Sequence, residues 1–153
     1  MKITFAPRGI LQIDDARITY RNFSGAPSQF NRKGDRDFSL IIPDQETADA
    51  LIQEGWNVKI KPPRVDGDEP FMYMKVKVKY NENGGPIVRV QTDMGRAQLN
   101  EETIGSLDKM DILSVCCDIR PYDWELSDGK SGRTAYLKSM LVFQDVDRFA
   151  DRH

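Results

Sequence analysis

The sequence predicts a mainly β protein, a Greek-key barrel with elaborated loops and one short helix. Three observations lead there. Short runs rich in Val, Ile, Phe and Tyr recur between clusters of Gly, Pro and Asn, which gives about seven or eight strands. Only one stretch carries helical periodicity between a start and a stop signal. A chain of 153 residues suits one domain, 1–153, with a real core and little room for a second.

Taken in order, residues 9–13 and 16–23 read as two strands joined at Asp14-Asp15. Arg36–Ile42 follows, with Phe38, Leu40 and Ile42 on one face. Asp44 then caps a helix carried by residues 47–53 and stopped by Gly55, with Ala48, Leu51 and Ile52 as its inner stripe. Residues 57–61 read as a strand ending at Pro62-Pro63, and 71–80 is the longest and cleanest alternation. Residues 81–85 predict a turn that sends the chain back through Ile87–Thr92 as a hairpin. Residues 99–109 form a loop or short helix, and 111–120 with 133–143 make a closing pair across a polar loop at 127–130. An oligonucleotide-binding (OB) type of barrel is the natural candidate for this pattern; a β-sandwich of similar strand count also fits it.

Composition narrows the function. An apolar share of 39% with 30% charged residues suits a soluble globular protein. No apolar run approaches the ~18 residues of a membrane span. The N-terminus has no apolar stretch of signal-peptide length, so a cytoplasmic location is expected. The single histidine is His153, which removes most imidazole chemistry. Cys116 and Cys117 are adjacent, point to opposite faces of a strand, and read as reduced thiols with one or both packed in the core.

Net charge is −2, but its distribution is uneven. From Trp56 to Val90 seven basic residues face four acids, a balance of +3; from Asn100 to Lys130 eight acids face three bases, a balance of −5. A chain polarised this way can bind polyanions on one face while remaining acidic as a whole.

The strand at 71–80 concentrates the signal. Met72, Met74, Val76, Val78 and Tyr80 form an inner face, while Phe71, Tyr73, Lys75, Lys77 and Lys79 form the outer one. Exposed rings stack nucleobases at ~1–3 kcal/mol each and ammonium groups track the phosphates, with little dependence on base identity. The bland alternative is a solvated outer face whose lysines blunt edge pairing. Neighbouring strands repeat the pattern: Lys59 and Lys61, Arg89 with Gln91, and Arg17, Thr19 and Arg21 all alternate with apolar residues. If these strands are adjacent, their polar faces make one basic surface. Phe23 and Phe30 read as lids of the barrel or as base-stacking rings, Trp56 as a core plug beneath the helix, and Trp124, in an acidic stretch, as packing.

Several short motifs together resemble phage-encoded single-stranded DNA-binding proteins. They are Asn22-Phe23-x-Gly25, Phe30-Asn31-x-x-Gly34-x-Arg36-x-Phe38, Gly55-Trp56-Asn57-Val58-Lys59, Tyr73-Met74-x-Val76-x-Val78, Tyr122-x-Trp124 and Gly132-x-x-x-Tyr136-Leu137. The resemblance covers most of the chain. It implies an OB core that coats single-stranded DNA during phage replication or recombination, alongside replication or recombination proteins. It also implies a DNA face containing 56–61 and 73–79. One departure is the end of the chain, 145–153, where three acids stand against two arginines in place of a long acidic tail. Recruitment of polymerase or helicase through such a tail is therefore not expected, unless the chain is truncated.

Enzyme readings are weaker. Asp66, Asp68 and Glu69 lie in a turn and lack the ligand spacing of a calcium loop; Asp111, Asp118 and Asp123 change parity along their strand. Residues 84–86 and 127–132 lack the glycine spacing and following helix of a phosphate loop. No catalytic residue, metal or cofactor is expected. The competing reading from another class is a structural or assembly module that binds protein through a barrel face, with Phe71 and Tyr73 as interface anchors. Lysine is depleted from protein interface cores, so the lysines beside the rings favour nucleic acid. Open barrel edges also allow a homodimer.

Overall fold

In a computed structural model, residues 1–29 and 31–145 are described. Phe30 and the segment 146–153 lie outside them, and with them the expectations for that ring and for the chain end. The strands are β1 (Lys2–Phe5), β2 (Leu11–Asn22), β3 (Arg36–Ile42), β4 (Lys59–Lys61), β5 (Phe71–Val78), β6 (Ile87–Thr92), β7 (Gly95–Leu99), β8 (Ile112–Glu125) and β9 (Ser131–Gln144). The helix α1 (Gln45–Gln53) follows β3, and a 3-10 turn at Ile104–Asp108 precedes β8.

Hydrogen bonding runs in the order β4-β5-β3-β2-β8-β9-β6-β7, with β1 added beside β2. A parallel contact of β5 with β9, Lys77 opposite Tyr136, joins the two arms and closes β2, β3, β5, β9 and β8 into a ring. This is the OB-like barrel the sequence predicted: five strands, partly open, because the closing pair is short. Its interior is filled by alternate residues of every ring strand, among them Leu11 and Ile13, Phe38 and Leu40, Met74 and Val76, Val115 and Ile119, and Leu137, Met140 and Val142.

The helix starts where Asp44 Oδ1 accepts a hydrogen bond from the Thr47 amide at 2.8 Å. It ends at Gly55, whose φ of 94° a side-chain-bearing residue adopts only with strain. Ala48 and Leu51 are buried as expected, but Ile52 is about half exposed, because the inner stripe is narrower than the predicted one. Trp56, just past the stop, is buried in the core as a plug. Cys117 is buried and Cys116 half-buried, both free, and desolvation pushes the Cys117 thiol pKa up. Among the described residues no helix is long and apolar enough to cross a membrane.

Three expectations are corrected. Asp14-Asp15 is not a turn between strands but a bulge inside the continuous β2, marked by a register shift between Ile13 and Ala16 and a φ of 53° at Asp15. A twelve-residue strand that pairs β8 and β1 at one end and β3 at the other must curl, and bulges supply that bend. The turn at 81–85 makes only an isolated bridge, Asn81 to Gly84. β5 and β6 do not form a hairpin; both run parallel to β9, so the chain loops out and resumes in the same direction. β1 and β7, unpredicted, are short and largely exposed, and so lack the apolar alternation that marks a strand.

Phe38 is fully buried and stacks on Phe23 at 5.1 Å, which makes Phe23 a core ring rather than a base platform. Phe38→Ala should lower the unfolding free energy by about 3–5 kcal/mol in urea melts, the range for deleting a buried ring.

Candidate nucleic-acid interface

Directly opposed residues of an antiparallel pair project from the same face, so the register itself defines the outer surface. Tyr73 of β5 faces Lys59 of β4 on one side and Ile41 of β3 on the other, and Ile41 faces Arg17 of β2. Phe71 faces Lys61; Lys75 faces Ser39, which faces Thr19; and Lys77 lies between Asp37 and Tyr136. Lys59, Lys61, Phe71, Tyr73, Lys75, Lys77 and Arg17 therefore share one face across four strands. Lys79 lies one residue beyond β5 and is exposed at the end of the same row.

Phe71 and Tyr73 stack on each other, with centroids 5.7 Å apart and planes at 26°. A third ring joins them. Tyr20 meets Tyr73 edge-on at 5.5 Å and Phe71 at 6.2 Å. Strict alternation along β2 turns Tyr20 inward, but its φ of 49° and the register shift between Thr19 and Asn22 bring it to the outer face, half exposed. No local sequence signal marked that change of parity.

Lys61 binds the cluster together. Its Nζ donates to the Tyr20 hydroxyl at 2.9 Å and sits 4.8 Å from the Tyr20 ring centre and 5.6 Å from that of Tyr73. The hydrogen bond to Tyr20 holds the Lys61 pKa above the ordinary lysine value, so this ammonium stays charged. The rings and their cation are thus ordered before any ligand arrives.

Beyond the rings the face deepens. A trough of about 690 Å³ runs between the β2–β3 loop and the end of β5; Arg32, Lys75, Lys77 and Lys79 line it, with Tyr80 and Tyr136 in its wall. Lys75 pairs with a mostly covered Asp37 at 3.5 Å, a long contact that leaves the ammonium half exposed. A second cleft of about 180 Å³ shares Lys75 and Lys77 and adds Lys59, Asn57, Trp56, Trp124 and Arg133. Trp124, expected to be packing, is instead 37% exposed.

Two of the expected residues belong elsewhere. Arg21 Nη1 donates to the carbonyls of Leu107 at 2.7 Å and Met110 at 2.6 Å. It ties β2 to the 3-10 turn, beside Asp108, whose carboxylate accepts the amides of Phe23 and Ser24. Arg89 lies on β6, which borders β9 and β7 and never β5. It lines a different cavity with Arg96, Asp14 and Asp118. The acids considered for metal chemistry are also apart: Asp66, Asp68 and Glu69 fall between β4 and β5, Asp118 accepts from Ser139, and Asp123 pairs with Arg133. Among the described residues no group of three or more His, Cys, Asp or Glu side chains gathers as a metal site.

A partly open five-stranded barrel with rings and lysines in register on one outer face defines an oligonucleotide-binding module. Over residues 2–153 the chain matches the family described as "Putative phage ssDNA-binding domain", and it belongs to that family. Its fold is similar to that of the single-stranded DNA-binding protein from bacteriophage Enc34, with a TM-score of 0.58 at 16% identity, covering 99% of this chain and 94% of that one. The same phage protein in complex with ssDNA gives a TM-score of 0.57 at 17% identity, covering 97% and 93%. Comparison with curated protein sequences gives no match.

Two expected outcomes follow from the geometry. Tyr20→Phe removes the main cause of the raised Lys61 pKa, so an NMR titration of the lysine side chains should show Lys61 falling toward the ordinary value. Arg21→Ala should lower stability in urea melts by about 2–3 kcal/mol, because a charged donor leaves two carbonyls behind.

Proposed function

We propose that this protein binds single-stranded DNA stoichiometrically and without sequence preference, coating it during phage replication or recombination. The observation that supports this most is the shared register of Phe71 and Tyr73 with Lys59, Lys61, Lys75 and Lys77 on one outer face, where Tyr20 joins the rings from β2. Bases stack on the partly exposed rings, and phosphates between them meet the lysines of β4 and β5. A π-face is common to every base, so affinity varies little with sequence. A duplex hides its bases and offers the rings nothing to stack on. Family membership points the same way. Binding, not turnover, is the activity this face serves, in the host cytoplasm where phage DNA is copied.

The test is fluorescence anisotropy of a labelled oligo-dT against its duplex counterpart over a salt series. Preference for the single strand is expected, with log affinity falling against log salt at a slope of roughly −2 to −4, for ~3–5 phosphate contacts. Tyr73→Ala should weaken binding by about 1–3 kcal/mol at fixed salt while the domain stays folded. Absence of binding at low salt would sink the proposal and turn attention to protein partners for the same rings.

A further inference from the structure

We infer that the cleft beside Trp124 is a second nucleobase subsite, separated from the Phe71–Tyr73–Tyr20 cluster by the lysines of β5. This inference rests on the single-strand-binding reading above and adds a site to it. Trp124 lies on the outer part of the β8–β9 ribbon, opposite Gly132. The indole lies against that glycine: a Cβ at Gly132 would stand 2.5 Å from Trp124 Cζ2. Only a residue without a side chain admits the ring there, so one indole face is seated while part of the ring stays open to solvent.

One of the acids beside Trp124, Asp123, is neutralised in the fold. Arg133 Nε and Nη2 donate to the Asp123 carboxylate at 2.6 and 3.2 Å, and that bond holds the Asp123 pKa below its ordinary value. Nη1 of the same guanidinium donates to the Glu54 carbonyl at 2.8 Å, and its carbon sits 5.0 Å from the Trp56 ring centre. Arg133 thereby pins the ribbon to the end of α1. Trp124 is held in place rather than left on a free hairpin, so stacking on it costs little ordering entropy.

The cleft joins Trp124 to Lys59, Lys75 and Lys77, and the last two also line the larger trough. Tyr122, 54% exposed, and Tyr136 continue the aromatic surface, meeting edge-on at 6.2 Å. A strand whose bases stack on the β5 rings passes its phosphates along the lysines and reaches a second ring on their far side. The ligand class is a nucleobase of the same single strand, and the second site lengthens the footprint on the barrel.

The two tryptophans make the test direct, since Trp56 is only 4% exposed and Trp124 is the accessible one. Unlabelled oligo-dT is titrated into the 153-residue protein while tryptophan emission is followed, and anisotropy of labelled oligo-dT is measured in parallel. Quenching is expected in the wild type and lost in Trp124→Phe, which keeps a ring over Gly132; Trp124→Ala should bind about tenfold more weakly. Anisotropy that reports binding without quenching, or quenching that persists in Trp124→Phe, overturns the second subsite and leaves the β5 face intact. Absence of binding by anisotropy removes both readings together.

Discussion

The two-sided character of β5 is the constraint on which the rest of the structure depends. Met72, Met74, Val76 and Val78 are buried in the barrel, and burial of that row gives β5 a fixed orientation. A slip of one residue would exchange the whole set for Phe71, Tyr73 and three lysines, at the cost of placing ammonium groups in an apolar core. The same strand bonds β3 along its whole length, β4 at one end and β9 at the other. Core, closure and binding surface are therefore consequences of one alternation. The outer row is held in place by the burial of the inner row.

Around that strand, three cations are already paired. Lys61 is bonded to Tyr20, Lys75 to Asp37, and Arg133 to Asp123 and Glu54. These contacts differ in what they leave available. Lys61 ties two rings, Tyr20 and Tyr73, without hiding its charge, and Lys75 stays half exposed beside a mostly covered Asp37. Arg133 is a strut, committed on every side, and its effect on a ligand passes through the position of Trp124. Cations that look alike in a sequence thus divide into those that meet a ligand and those that hold the surface in shape.

Arg21 makes the same division sharper. It stands in the same every-second-residue row as Arg17 and Thr19, yet it serves two carbonyls next to the 3-10 turn, while Arg17 stays exposed in the row with Tyr73. The Leu107 and Met110 carbonyls at the end of that turn accept its bonds part-buried, where an acceptor without a donor is costly. Satisfying them uses the guanidinium that lies nearest.

The sequence by itself determined the class of fold, the inner and outer rows of β5, the capped helix from Asp44 to Gly55, and the burial of Trp56. These are local properties: alternation at period two, a side-chain cap, a residue able to take a left-handed φ. It also carried short motifs enough to resemble the family. Only the tertiary structure decided which rows meet. Arg89 repeats the outer pattern but sits on a strand that β9 separates from β8, not one that borders β5. Tyr20 reaches the rings through a bulge that reverses parity, and Trp124 reaches the lysines because β9 carries the ribbon back beside β5. Strand neighbours and register are set by contacts between residues far apart in the chain, and no window of the sequence contains both partners.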